Sequence, residues 1–192
     1  MTNILIVLGH PDPDGGHLCH AIADAYQSAA QESGHLVDRI EIAHQHIPYI
    51  TSSMDWESGD LPVVAVDGQA AVRKTQHIVF IYPLWMGGIP AKLKAWIEQV
   101  MRPSFAFDTN GARKRPALKG KSAHVIVTMG MPGFIYKWFF LAHSLRSLDR
   151  NILKFCGIKP VGWSILGNAE DPKGLAQRRH LKKAAQLGRA AR

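Results

Sequence analysis

The sequence has only two cysteines, no long apolar run and no acidic residue in its last twenty positions, and each shortage argues against a class of protein. Cys19 and Cys156 show no paired metal-type spacing, which favours two ordinary thiols in a reducing compartment over a disulfide framework. No stretch approaches the roughly 18 to 20 consecutive apolar residues of a membrane helix. The start, MTNILIVLGHPDPDGG, has neither the basic flank nor the cleavage site of a signal peptide, so we expect a cytoplasmic protein.

The positive charge is concentrated in two places. The formal net charge is +8, and seven of the 23 Lys/Arg follow Pro172, where Asp and Glu are absent. A second basic cluster consists of Arg113, Lys114, Arg115, Lys119 and Lys121. No aromatic residues are interleaved for base stacking, which disfavours a nucleic-acid partner. Two interpretations stay open: solvated surface charge, or attraction of phosphorylated ligands.

Five short apolar segments alternate with helical patterns. They predict strands at the first apolar run, NILIVL, and at residues 36–42, 78–82, 123–128 and 161–166, with helices over 18–33, 89–101 and 173–192. Residues 43–67 show no clear period and predict a long connection with at most a short helix. Such alternation favours parallel pairing with right-handed crossovers. We therefore expect one α/β domain over residues 1–192, a doubly wound sheet of five parallel strands with helices on both faces.

In open sheets of this kind, ligands bind beyond the carboxyl ends of the strands. Three loops, 10–19, 82–89 and 128–136, are then the candidate site. The first, GHPDPDGGHLCH, opens into a helix N-terminus whose unused N–H groups favour phosphate, although a turn without a ligand is the alternative. The G-x-G-x-x-G and P-loop patterns are absent, which argues against a classical dehydrogenase and an NTPase. The histidines do not have convincing metal spacing, so we predict no metal.

The second loop, YPLWMGGIP, joins a strand end to a helix that begins with proline. Its glycines suggest an extended backbone whose N–H groups face a flat ligand, with Leu84, Trp85 and Met86 supplying apolar surface. This composition suits a planar aromatic cofactor. Alternatively, Trp85 and Met86 cover the end of the sheet as part of the core.

Three blocks together resemble the NAD(P)H quinone oxidoreductase family of flavodoxin-like flavoproteins. They are YPLWMGGIPAKLKAWIEQV followed by SFAF, TMGMP with a later tyrosine, and NILKFCGIKPVGWSILG. The first loop resembles the family's histidine-proline phosphate loop more loosely. The resemblance spans most of residues 4–167 and implies a flavin-dependent NAD(P)H oxidoreductase that reduces quinones by hydride transfer in a ping-pong cycle.

The resemblance also implies site residues. For the flavin phosphate region they are His10, His17, Leu18 and Cys19; along the ring, Pro83, Leu84, Trp85 and Met86; and as backbone donors at the N1 and O2 edge, Thr128, Met129 and Gly130. Tyr136 and His143 are the nearest equivalents of the residues that polarise the quinone, each about one position out of register. The alternative is that YKWFFLAHSL is a helix without a role in the reaction, in which Trp138, Phe139 and Leu141 pack in the core and His143 caps the helix or faces water.

Residues 12–19 contain no Ser or Thr hydroxyl to grip the dianion of FMN, and two aspartates add repulsion. We therefore expect FAD, with FMN as the alternative. The resemblance further implies a homodimer, in which FIYKWFF contributes either to the interface or to the core. Two other functions stay open, a flavodoxin-type electron carrier and a flavin-binding, redox-sensing regulatory subunit. The carrier is disfavoured because carriers tend to be strongly acidic.

Overall fold

The structure is a computed structural model that describes residues 1–108 and 115–192, apart from the side chain of Ser58. Arg113 and Lys114 of the predicted basic cluster lie outside the described residues. The strands of the main sheet are β1 (Asn3–Leu8), β2 (Leu36–Glu41), β3 (His77–Pro83), β6 (Ser122–Thr128) and β7 (Val161–Leu166). A small antiparallel pair consists of β4 (Phe107–Asp108) and β5 (Arg115–Pro116).

Helices connect these strands. They are α1 (Leu18–Glu32), α2 (Ser53–Ser58), α3 (Val63–Lys74), α4 (Ala91–Val100), α5 (Gly133–Trp138), α6 (His143–Ser147) and α7 (Leu175–Arg189). A 3-10 helix covers Ile42–His44, and a π-helix covers Leu148–Leu153. No described helix is both long enough and apolar enough to cross a bilayer.

The main sheet has the order β2-β1-β3-β6-β7, and every neighbouring pair is parallel. The chain therefore builds outward from β1 to β2 and then returns across β1 to β3. This reversal separates the loops that follow β1 and β3 and leaves a crevice beyond their carboxyl ends. The predicted fold class is confirmed.

Both faces of the sheet are covered, which explains why the central strands β1 and β3 are almost continuously apolar, whereas the edge strand β2 alternates with charged residues. Leu5 and Val7 of β1 face the core formed with α3 and α4, whereas Ile4, Ile6 and Leu8 face α1 and α7. Successive residues of a strand thus pack alternately into the two cores on opposite faces of the sheet.

The structure corrects three expectations about the elements. Residues 43–67 contain α2 and the beginning of α3, and α3 extends to Lys74. The buried face of α3 includes Gly68 and Gln69, which interrupt its apolar stripe and weaken the periodicity. Helix α4 begins at Ala91, so that Pro90 precedes its first turn. The closing helix, predicted over 173–192, begins at Leu175 as α7, and Leu175 is 53% exposed whereas Ala176, Ala184 and Gly188 are buried.

Candidate functional site

The three predicted loops meet at the carboxyl ends of β1, β3 and β6. Backbone hydrogen bonds hold them together: Gly9 N–H donates to Ile81 O (2.7 Å), and Leu84 N–H donates to Thr128 O (2.8 Å). Between the loops lies a cavity of about 450 Å³. Its lining residues are His10, Asp12, His17, Leu18, Cys19, Pro83, Leu84, Trp85, Thr128, Met129, Gly130, Ala169 and Glu170. Every cofactor residue predicted from the sequence is in this set except Met86.

Three imidazole rings cluster in the first loop. The His10 ring stacks on that of His17 with 3.9 Å between centroids, and the His20 ring lies 5.5 Å from His10. Burial, followed by the neighbouring His17 and His20, lowers the pKa of His10 to about 4, so the ring is neutral at pH 7. His17 Nε2 lies 2.7 Å from a carboxylate oxygen of Asp12.

Backbone N–H groups near these rings have no hydrogen-bond acceptor within α1. The first intrahelical bonds of α1 run from His20 N–H and Ala21 N–H to His17 O, so the amides of Leu18 and Cys19 have no acceptor within the helix. His20 Nδ1 is buried, and no described group forms a hydrogen bond with it. The sequence interpretation did not select His20, although its spacing from His17 places both rings at one helix start. Within residues 1–108 and 115–192, no three His, Cys, Asp or Glu side chains are arranged to hold a metal ion.

The buried thiol of Cys19 closes the floor of the cavity. Its Sγ lies 3.2 Å from Thr128 Oγ1, which ties α1 to the end of β6. Burial raises the pKa of Cys19 to about 11, although the hydrogen bond to Thr128 acts in the opposite direction. The group is therefore a neutral thiol at pH 7 and not a nucleophile.

The second loop is a tight turn, which corrects the expectation of an extended backbone. Trp85 N–H donates to Gly88 O (3.1 Å), and Gly88 N–H donates to Trp85 O (2.8 Å). Met86 and Gly87, with φ of 46° and 74°, occupy the two central positions, as in a hairpin turn. The Met86 side chain consequently projects into solvent, while Trp85 forms the lip of the cavity, edge-on to His10 at 5.8 Å.

The third loop offers one free backbone donor where three were expected. Met129 N–H donates to Leu166 O (3.0 Å), and Thr128 lies within β6 between β3 and β7. For the Gly130 N–H, the described chain provides no hydrogen-bond acceptor. Beside it stands a carboxylate that the sequence interpretation missed: a β-carbon on Gly130 would lie 3.6 Å from Glu170 Oε1. Only the pairing of β6 with β7 could have pointed to the loop that carries Glu170.

Tyr136 and His143 lie in different environments. Tyr136 is buried in the core; its hydroxyl lies 2.6 Å from Ser144 Oγ and accepts Leu145 N–H at 3.2 Å. It is absent from the wall of the cavity, so the geometry does not support a role in polarising a quinone. His143 begins α6 at the surface beside the second loop, since a β-carbon on Gly87 would lie 3.7 Å from its Cε1.

The alternative for this segment is also corrected. Trp138, Phe139 and Leu141 do not pack in the core but are 71%, 78% and 60% exposed.

Comparison with known proteins agrees with this architecture. A family model described as "Flavodoxin-like fold" matches residues 2–187. The chain belongs to the flavodoxin-like fold family. Among solved structures, one from Streptococcus mutans superposes on this flavodoxin-like chain with a TM-score of 0.83 and 27% identity, covering 98% of this chain and 99% of that one.

Curated relatives carry names of one kind. An "Uncharacterized NAD(P)H oxidoreductase" of Haemophilus influenzae is 27% identical over 98% of this chain and 95% of its own length. The human "Ribosyldihydronicotinamide dehydrogenase [quinone]" is 31% identical over 57% of this chain and 51% of its own. The "FMN-dependent NADH:quinone oxidoreductase 1" of Colwellia psychrerythraea is 33% identical over 46% and 44%. The chain thus spans only about half of the latter two. The predicted resemblance to NAD(P)H quinone oxidoreductases is confirmed.

Proposed function

We propose that the chain is a single flavin-binding domain that works as an NAD(P)H oxidoreductase and passes electron pairs to quinones or similar electrophiles. The observation that carries this proposal is the cavity at the ends of β1, β3 and β6. It combines apolar walls, a helix start with unused amides and a donor beside a carboxylate. The names of the Haemophilus, human and Colwellia relatives support the same activity.

The residues of the cavity fit a flavin. Leu84 and Trp85 supply an apolar wall for a planar ring. Gly130 N–H and the Glu170 carboxylate supply a donor and an acceptor side by side, which matches the alternating carbonyl and N–H groups on the pyrimidine edge of the flavin. At the other end, the amides of Leu18 and Cys19 face the position of a phosphate.

We propose FMN as the resident flavin. The expectation of FAD depended on the missing Ser and Thr hydroxyls, but His10, His17 and His20 form a cluster of ring nitrogens at this end of the cavity. A protonated imidazole donates charge-assisted hydrogen bonds to phosphate, and binding of a dianion would oppose the effect of burial, which lowers the pKa of His10 and of His20. The Colwellia relative is named as FMN-dependent, which supports FMN over the expected FAD.

The chain's own residues then have distinct tasks. A flavin held by these residues would supply the two-electron transfer between NAD(P)H and the acceptor. Trp85 lines the cavity, and His143, which does not itself line it, lies beside Gly87 in the turn that carries Trp85 and is exposed to an incoming acceptor. We assign to His143, and not to Tyr136, the hydrogen bond to the acceptor's oxygen. Tyr136 positions His143 through Ser144 and Leu145.

We also propose the homodimer implied by the resemblance. An apolar groove of about 500 Å³ separates α4 from the π-helix, and Trp56, Ile97, Ile152 and Phe155 are among its lining residues. Covering it with a second copy would remove this apolar surface from water. Phe155→Lys should then convert a dimer into a monomer, as measured by light scattering.

Flavin binding is tested with two ligands, FMN and riboflavin. The protein should bind FMN more tightly than riboflavin, and His17→Asn should reduce that preference about tenfold, because it removes one phosphate contact. The control, His35→Asn, changes a histidine whose Nε2 bonds Arg189 O outside the cavity. A protein that binds no flavin, or a preference that is unchanged in His17→Asn, would contradict the proposal.

Turnover separates the proposed enzyme from the other two functions. The flavin-loaded protein should oxidise NADH or NADPH only when a quinone is present, and His143→Leu should lower kcat/KM for the quinone while leaving reduction by NAD(P)H unchanged. An electron carrier or a redox-sensing subunit would bind flavin without sustained turnover.

A further inference from the structure

The largest exposed apolar side chains of the second half of the chain follow one another along a single segment. Phe134, Trp138, Phe139 and Leu141 are 66%, 71%, 78% and 60% exposed, and we call them the aromatic ridge. They extend over α5 and the turn after it, where a helix would ordinarily bury such residues. Contiguous apolar surface of this kind marks a contact with another body.

The aromatic ridge adjoins the second loop, whose Trp85 lines the cavity. His143 Nδ1 lies 3.2 Å from Phe140 O, and the same imidazole stands beside Gly87 of the second loop. The neighbouring Met86 side chain is fully exposed, and Trp85 is 47% exposed. One surface therefore carries both the ridge and the entrance to the proposed flavin site.

The other border of the aromatic ridge is basic. A groove of about 830 Å³ runs between α5 and α7, and its walls include Phe134, Trp138, Lys137, Arg179 and Lys183. The ammonium group of Lys137 lies 5.1 Å from the Trp138 ring centre. Within the described part of the chain, these three cations have no carboxylate at ion-pair distance.

Few carboxylates offset this charge. Residues 173–192 contain seven Lys/Arg and no Asp or Glu. Of the two acids just before them, Glu170 faces the cavity, and Asp171 accepts N–H groups from Lys173 and Ala176 at the start of α7 and interacts more weakly with the charge of Arg179. The border of the aromatic ridge is therefore strongly positive.

Exposed Trp and Phe beside Lys and Arg are the combination that binds at the interface of an anionic bilayer, where the rings enter the headgroup region and the cations meet acidic lipids. We propose that the aromatic ridge and the basic groove dock the protein on an anionic membrane surface, so that its cavity opens toward quinones dissolved in the bilayer. The quinone part of this proposal rests on the proposed function, whereas the docking part does not.

The docking is tested with the flavin-loaded full chain and vesicles of phosphatidylcholine, with and without phosphatidylglycerol. We expect sedimentation with the anionic vesicles at least about tenfold stronger than with the zwitterionic ones, and its loss in high salt. Trp138→Ser with Phe139→Ser, and separately Lys137→Glu, should each abolish it. The matched control, Tyr49→Ser with Met54→Ser, alters apolar side chains that are 68% and 76% exposed elsewhere, and should leave vesicle binding intact.

Three results would overturn the proposal: equal binding to both vesicle types, binding that survives the ridge substitutions, or a ridge variant that changes the protein's mass in solution. The last would assign the aromatic ridge to contact between copies of the chain. Turnover with a water-soluble quinone should be the same in the ridge variant and the native protein. Loss of vesicle binding with retained turnover therefore separates a failure of docking from a failure of the enzyme assignment.

Discussion

Cys19 of α1 and Cys156 in the turn after the π-helix are both buried and are both neutral thiols at pH 7. Burial raises the pKa of Cys19 and of Cys156 to about 11. At pH 8 the thiolate fraction is then about one in a thousand, and the sulfurs are also shielded from reagents. We expect iodoacetamide to modify neither residue in the folded protein and both in urea, as measured by mass spectrometry. Rapid native modification of Cys19 would show that the first loop opens away from Thr128.

Gly188 allows α7 to touch α1. A β-carbon at this position would lie 2.2 Å from Tyr26 O, a backbone atom that cannot move without displacing α1. Gly188→Ala gains about 1 kcal/mol of helix propensity, yet forced overpacking costs about 1–3 kcal/mol, so Gly188→Val should be clearly destabilising and Gly188→Ala less so. The free energy of unfolding from urea titration measures this, with exposed Gln186→Ala as the control. A stabilised Gly188→Val would contradict the packing.

Among the elements, those with continuous apolar runs were predictable and those with small residues were not. The strand predicted at residues 78–82 is β3, which extends by one residue at each end, because a strand buried between two layers is apolar along its buried run. Helix α3 was missed since Gly68 packs where an apolar side chain would have revealed the period. A β-carbon there would lie 2.4 Å from Val100 Cγ2, so close packing against α4 replaces a large residue.

The position of helix α6 depends on the hydroxyl group of Tyr136. Leu141 and Ala142 have φ of 53° and 46°, a left-handed conformation that costs non-glycine residues about 1–2 kcal/mol each. The Tyr136 hydroxyl holds the helix that follows through Ser144 and Leu145. Tyr136→Phe leaves Leu145 N–H without this acceptor and should lower the free energy of unfolding by about 1–3 kcal/mol.

The same substitution tests the assigned positioning role. In Tyr136→Phe, KM for the quinone should rise more than kcat falls, because His143 is less well held, while flavin affinity is unchanged. A Tyr49→Phe control removes an exposed hydroxyl at a distant position. Loss of kcat alone, with stability intact, would instead indicate that the phenol itself takes part in the reaction.

Across the entire chain, the site was predictable where the resemblance covered a loop and not where the tertiary fold completed it. Ten of the eleven expected cofactor residues line one cavity. Met86 does not, because its positive φ in the turn directs it outward. Glu170 was missed because it lies in the loop after β7. His20 was missed because only the folded structure brings its ring close to that of His10. Counting hydroxyl groups therefore underestimated the donors available to a phosphate.

The stability of the entire chain should depend on pH through buried histidines, His10 of the cavity and two in the sheet. Burial lowers the pKa of His77 and of His124 to about 4, compared with about 6.5 in the unfolded chain. Between these values the unfolded chain binds protons that the folded protein excludes, so stability is full above pH 6.5 and is lost as the pH falls toward 4. Each residue should contribute on the order of 1–3 kcal/mol to this loss. His124→Gln, which can retain a hydrogen bond to Ser164, should flatten the dependence measured by urea titration at several pH values, whereas exposed His46→Gln should not. An equal slope in both variants would mean that His124 is already protonated in the folded state, with its charge accommodated beside Ser164.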